Sequence, residues 1–179
     1  MAFVTPPDFA SGATLTAAQL DILGDDLLYL KGISDGLTFS AARVTRSAAT
    51  SIPDATWSTI TFSAEVFDYG SWWSSGTNIV VPADAIPAGY TSIAIDARIS
   101  TLFAANATGY RAIRLLVNGS EEFNATQGSF ATDQARVIAS DFAVVVAGDI
   151  ITVQVYQNST GALDASFTKV TVARYMPVA

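Results

Sequence analysis

Sixteen carboxylates, with no histidine and no cysteine, bound the chemistry open to this 179-residue chain. Without imidazole or thiol there is no Ser-His-Asp or Cys-His nucleophile. A zinc site built from those ligands is excluded as well. No disulfide can form, so stability must come from packing or from association of chains. The acids that stand together are Asp25-Asp26 and Glu121-Glu122, with Asp141 further on. Two acids spaced across a cleft run general acid–base chemistry on glycosidic bonds. Adjacent acids on one helix or loop are read instead as solvated surface, so no catalytic residue is assigned. There is no Gly-x-Gly-x-x-Gly and no phosphate loop, and no cofactor is implied. The other group able to act is aromatic: Phe67, Tyr69, Trp72 and Trp73. On an exposed loop these would grip a sugar or a protein; the competing reading packs them inside the fold or at an interface.

Charge narrows the partners. The net charge is −7, the isoelectric point is near 4.3, and the only lysines are Lys31 and Lys169. Binding to phosphate backbones needs a basic footprint that this composition lacks, so nucleic acid and anionic membrane are not expected partners. No run approaches the ~20 apolar residues of a spanning helix, so membrane insertion is not expected. The opening MAFVTPPDFASG has no basic region and no long apolar run, and is not read as a secretory signal. Four of the five asparagines, Asn106, Asn118, Asn124 and Asn158, stand in Asn-x-Ser/Thr. Their turn-like flanks favour structural residues over glycan acceptors.

Two kinds of sequence must position these groups, and they meet near residue 37. Residues 14–31, TLTAAQLDILGDDLLYLK, predict a helix. Thr16 is an N-cap with Gln19 three residues on, which makes a capping box. Leu15 and Leu20 can close a hydrophobic staple across it. Lys31 then Gly32 is a plausible stop. Leu20, Leu23, Leu27 and Leu30 follow 3-4-3 spacing, the a and d positions of a short heptad seam. A helix this short is marginal alone. The seam is assigned to trimerisation or docking over packing on the chain's own head, and the extended arm Phe3–Gly12 to lying on a partner.

From Leu37 onward strand signals recur with turn residues between them. Expected strands are Ala42–Ser47, Trp57–Phe62, Asn78–Val81, Ser92–Phe103, Tyr110–Val117, Arg136–Val146, Asp149–Gln157 and Ser166–Tyr175. In Ser92–Phe103, Ile93, Ile95, Ala97, Ile99 and Phe103 share one face, and Asp96, Arg98 and Ser100 the other. About eight alternating strands predict an all-β antiparallel sandwich. The expected organisation is an arm and amphipathic helix over residues 1–37 and a head over 38–179.

Three stretches carry a resemblance: FDYGSWWSSGTNIVVPADAIPAGYTSIAIDARI, FAANATGYRAIRLLVNG and VVVAGDIITVQVYQNS. Their order resembles the jelly roll of complement globular heads and tumour-necrosis-factor-like proteins. The arm followed by LTAAQLDILGDDLLYLK is similar to the openings of many tailed-phage virion proteins. Together these resemblances imply a homotrimeric, non-enzymatic virion component with a jelly-roll head. The arm would dock on another virion protein through residues 1–31. The head would face a host surface receptor or glycan, at the tail tip or in a tail fibre. A capsid-decorating or head-fibre protein has the same parts; an envelope-glycan hydrolase is a third class. The resemblance also implies that Asp68, Asp149 and Asp164 could offer oxygen ligands to calcium, though no EF-hand spacing exists.

Overall fold

The computed structural model describes residues 39–178. The arm, the helix and the seam residues Leu20, Leu23, Leu27 and Leu30 lie outside the described residues. In chain order the strands are β1 (Ala41–Arg46), β2 (Thr50–Ile52), β3 (Ser58–Thr59), β4 (Ala64–Tyr69), β5 (Ile79–Val80) and β6 (Ser92–Phe103). They continue with β7 (Asn106–Val117), β8 (Ser120–Phe130), β9 (Ala135–Val145), β10 (Ile150–Gln157) and β11 (Leu163–Val178). The only helical turn among the described residues is the 3-10 segment Ala83–Ala85.

The strands form two antiparallel sheets. The first runs β4-β1-β11-β6-β9, with β2 paired to one end of β11. The second runs β3-β10-β7-β8, with β5 also on β10. Alternation in the sequence becomes burial directly. Ile93, Ile95, Ala97 and Ile99 of β6 and Val170 and Val172 of β11 point inward. Ile113 and Leu115 of β7 and Ile151, Val153 and Val155 of β10 meet them from the other sheet. Each buried Ile, Leu or Val contributes about 1.5–3 kcal/mol relative to exposure. Ser92–Phe103 has the bounds expected from its alternation.

Eleven strands replace the expected eight, and each addition has a physical reason. β2 has three residues, too few to show a period. β4 is an edge strand with no fully buried residue, so its sequence carries no alternation. β8, SEEFNATQGSF, is poor in strand formers. It is a strand because the turn Asn118-Gly119 folds it back onto β7. Both turn residues have positive φ, 50° and 83°, as a type I′ hairpin requires. The expected strand Trp57–Phe62 is broken: only Ser58–Thr59 is strand, and Phe62 makes an isolated bridge to Gly76. Ile60 and Phe62 are nonetheless buried.

Three of the Asn-x-Ser/Thr asparagines hold turns or strand ends, and Asn124 lies within β8. Asn106 Oδ1 accepts the Thr108 N–H, and Asn158 Oδ1 accepts the Tyr110 N–H. Asn118 Oδ1 accepts the Ile150 N–H while its Nδ2 donates to Asp149. Asn124 Nδ2 donates to Glu121.

Candidate functional site

The aromatic group named from sequence divides. Trp72 is fully buried in the core. Its indole N–H donates to Ser40 Oγ at 2.9 Å. The Asp68 carboxylate accepts the backbone N–H groups of Trp72 and Trp73, each at 2.9 Å. Trp73 packs partly buried against the core and donates to the Gly76 carbonyl. Trp72 is therefore a core residue, and Trp73 lies at the edge of the core. Phe67 and Tyr69 sit on β4 and look outward, with ring centroids 5.6 Å apart. Phe39 meets Tyr69 edge-on at 5.6 Å.

Those outward rings begin a band across the first sheet. Register sets its rows. Phe67, Arg43, Thr171, Arg98 and Ser140 form one row across the five strands. Thr45, Lys169, Ser100 and Ile138 form the next. At the β9 edge the polar Ser140 stands among exposed apolar residues: Ile138, Phe142 and Val144 are 61%, 55% and 61% exposed. Tyr175 of β11 covers Phe142 at 4.7 Å between centroids. The face thus has aromatic and aliphatic margins and a basic middle. There Arg43, Arg98, Arg136 and Lys169 line a concavity of about 220 Å³ floored by Ser100 and Thr171. The exposed apolar side chains thus lie at the two margins of the face and not in its middle.

The outward face of the second sheet is different in kind. Tyr110 stacks on Tyr156 at 5.3 Å, and Tyr156 meets Trp57 at 5.2 Å. The hydrogen bond with Tyr110 pushes the Tyr156 phenol above 10.0. Arg114 lies 4.1 Å over the Trp57 ring, a cation–π contact. Its Nε and Nη2 donate to Gln154 Oε1, and its Nη1 pairs with Glu121 at 2.9 Å. The rings face one another and the guanidinium has its acceptors. Its apolar side chains Val80, Tyr110, Ile150 and Phe130 are 40%, 39%, 38% and 45% exposed, less than those of the β9 margin.

Acid chemistry finds no support in the geometry. Glu121 is committed to Arg114 and Asn124. Glu122 is exposed on β8. Asp141 accepts its neighbour's N–H on the edge strand β9. Among the described residues, no three acidic, histidine or cysteine side chains converge on a metal position. Asp68 is committed to the two tryptophan N–H groups and Asp149 to Asn118 and Val146. Asp164 is on β11. The three do not form one calcium site. Asp25 and Asp26 lie outside the described residues.

Sequence reasoning missed the basic cluster. Arg43, Arg98, Arg136 and Lys169 come from four strands, and only the register brings them together. No local motif announces that. The one available hint was Arg98 on the polar side of the β6 alternation.

No protein-family model and no curated protein matches the chain. Solved structures do share its fold. Murine APRIL aligns with 14% identity and a TM-score of 0.56, over 76% of this chain and 99% of that one. Eiger TNF from S. frugiperda aligns with 8% identity and a TM-score of 0.51, over 79% and 96%. The globular domain of zebrafish complement 1qA protein aligns with 9% identity and a TM-score of 0.50, over 76% and 96%. The head is thus a jelly roll of the tumour-necrosis-factor and complement-head type. At these identities the likeness concerns the fold.

Proposed function

We propose that the chain is a non-enzymatic structural and attachment protein of a tailed-phage particle, homotrimeric through the outward face of its first sheet. One observation carries the assembly. That face exposes Tyr69, Ile138, Phe142, Val144 and Tyr175, each by more than half, whereas Val80, Tyr110, Ile150 and Phe130 of the other sheet are each exposed by less than half. A second copy is the occupant that suits it, because the same chain supplies both margins and a head without disulfides gains stability by association. The jelly-roll resemblance favours threefold closure. The opening LTAAQLDILGDDLLYLK supports docking of residues 1–31 on another virion protein, at the tail tip or in a fibre. The head then contacts a host receptor or glycan.

The lining of the concavity supports a binding role without turnover. The concavity is lined by cations and hydroxyls, with no spaced pair of acids among the described residues. Native mass measurement of the purified chain should give three times 18.7 kDa. Phe142→Asp together with Ile138→Asp should convert it to a folded monomer. A stable wild-type monomer at micromolar concentration would overturn the assembly. Incorporation into particles at the normal level after deletion of residues 1–31 would overturn the docking.

A further inference from the structure

We propose that the concavity lined by Arg43, Arg98, Arg136 and Lys169 binds a small multivalent oxyanion of the phosphate type, held between copies of the chain. The second half of this rests on the homotrimer; the binding itself does not.

The chain has 9 basic residues against 16 acidic ones, yet four of the nine line this one hollow. Their partners are few. Arg98 pairs with Asp96 at 2.8 Å, on a side chain that is 69% exposed. Arg43 Nε donates to Thr171 Oγ1 at 2.9 Å, with the guanidinium 5.3 Å over Phe67. Arg136 Nη1 donates to Ser100 Oγ at 3.2 Å. Lys169 makes no hydrogen bond or ion pair among the described residues. Four positive charges thus meet one carboxylate, and 4 − 1 leaves an excess of three.

The arrangement suits an oxyanion in three ways. Thr171 and Ser100 hold Arg43 and Arg136 by one nitrogen each, which sets the guanidinium planes while other N–H groups stay open. Planar forks match the oxygens of phosphate, and several forks favour an anion with several oxygens over chloride. A hollow of about 220 Å³ admits phosphate with a few waters. It lies in an otherwise acidic chain, which disfavours a polyanion track. On the second sheet Arg114 already has Glu121, so the same residue type is neutralised internally there. Covering the first sheet with a second copy would strip water from unpaired cations, which is costly. A bound oxyanion removes that cost and so favours assembly.

The test titrates inorganic phosphate into the full chain at constant ionic strength, with chloride as the replaced anion. Saturable binding at about millimolar Kd or tighter is expected. Arg43→Gln and Lys169→Gln should each weaken it by about tenfold, the equivalent of 1.4 kcal/mol. Arg46→Gln, a cation on β1 that does not line the hollow, should leave it unchanged. Phosphate should also lower the concentration at which trimers dissociate. All four cations are at the surface of the head, and circular dichroism checks that each variant is folded. Absence of saturable binding, or equal weakening by Arg46→Gln, overturns the site. Saturable binding to a chain that stays monomeric keeps the site and overturns the trimer. A trimer indifferent to phosphate keeps the trimer and overturns the inference.

Discussion

Replacing Trp72 by alanine should destabilise the head by about 3–5 kcal/mol, the range for removing a large buried aromatic side chain. The indole is fully buried and belongs to the central core. Its surroundings leave little room to collapse. Gly70 beside it has φ +120°, and a Cβ there would stand 2.9 Å from Ser40 Oγ and 3.3 Å from Trp72 Nε1. The polar end adds a separable contribution. Ser40→Ala leaves the indole N–H buried without its acceptor, a loss of about 1–3 kcal/mol. Trp72→Phe removes the donor and part of the volume. Because the two side chains share the 2.9 Å contact, the pair Ser40→Ala with Trp72→Phe should cost less than the two singles added, by about 0.5–3 kcal/mol. Urea unfolding of the full chain and each variant, at one fixed protein concentration, gives all four corners of the cycle. The reasoning fails if Trp72→Ala costs under about 1 kcal/mol, because a ring that faced a ligand or solvent would behave that way.

Two further outcomes are expected. Gly109→Ala should destabilise the β6–β7 corner beyond ordinary glycine replacements, because φ is +72° and a methyl group there would overlap the Asn158 backbone carbonyl; loss of amide-exchange protection for Tyr110, whose N–H donates to Asn158, is the readout. The Asn124 hydrogen bond first, and Arg114 second, hold the Glu121 carboxyl below its ordinary 4.5. The lowered folded value means that its small contribution is present above the unfolded value and disappears as pH falls through the folded one. Glu121→Gln should therefore flatten the acid limb of a melting-temperature profile slightly; parallel limbs would remove the contribution.

Legibility followed how locally each feature is encoded. β6 was readable because its core face repeats every second residue over twelve positions. β4 and β8 were not, since one is a half-exposed edge and the other is drawn into the sheet by its hairpin turn. For Trp72 and Trp73 the sequence left packing and a ligand platform both open, because adjacency says nothing about direction. Asp68 fixes the turn by gripping both backbone N–H groups, and burial places the Trp72 ring in the core. The basic hollow was invisible for a different reason: Arg43 and Lys169 stand far apart in sequence, yet they flank neighbouring rows of one sheet. Leu20, Leu23, Leu27 and Leu30 lie outside the described residues.

The position of β11 has a consequence in time. β1, the first strand, and β11, the last, pair along six consecutive positions. β11 also separates β1 from β6 in the middle of the first sheet. During synthesis that sheet lacks its central strand until Val178 has left the ribosome. The hairpin β7-β8 can close early, but β1 with β4 and β6 with β9 must wait as two unjoined ribbons. Such long-range pairing folds slowly and leaves apolar strand edges open in the interval. Truncations that remove β11 should therefore yield insoluble chains, and expression at lower temperature should raise the folded fraction.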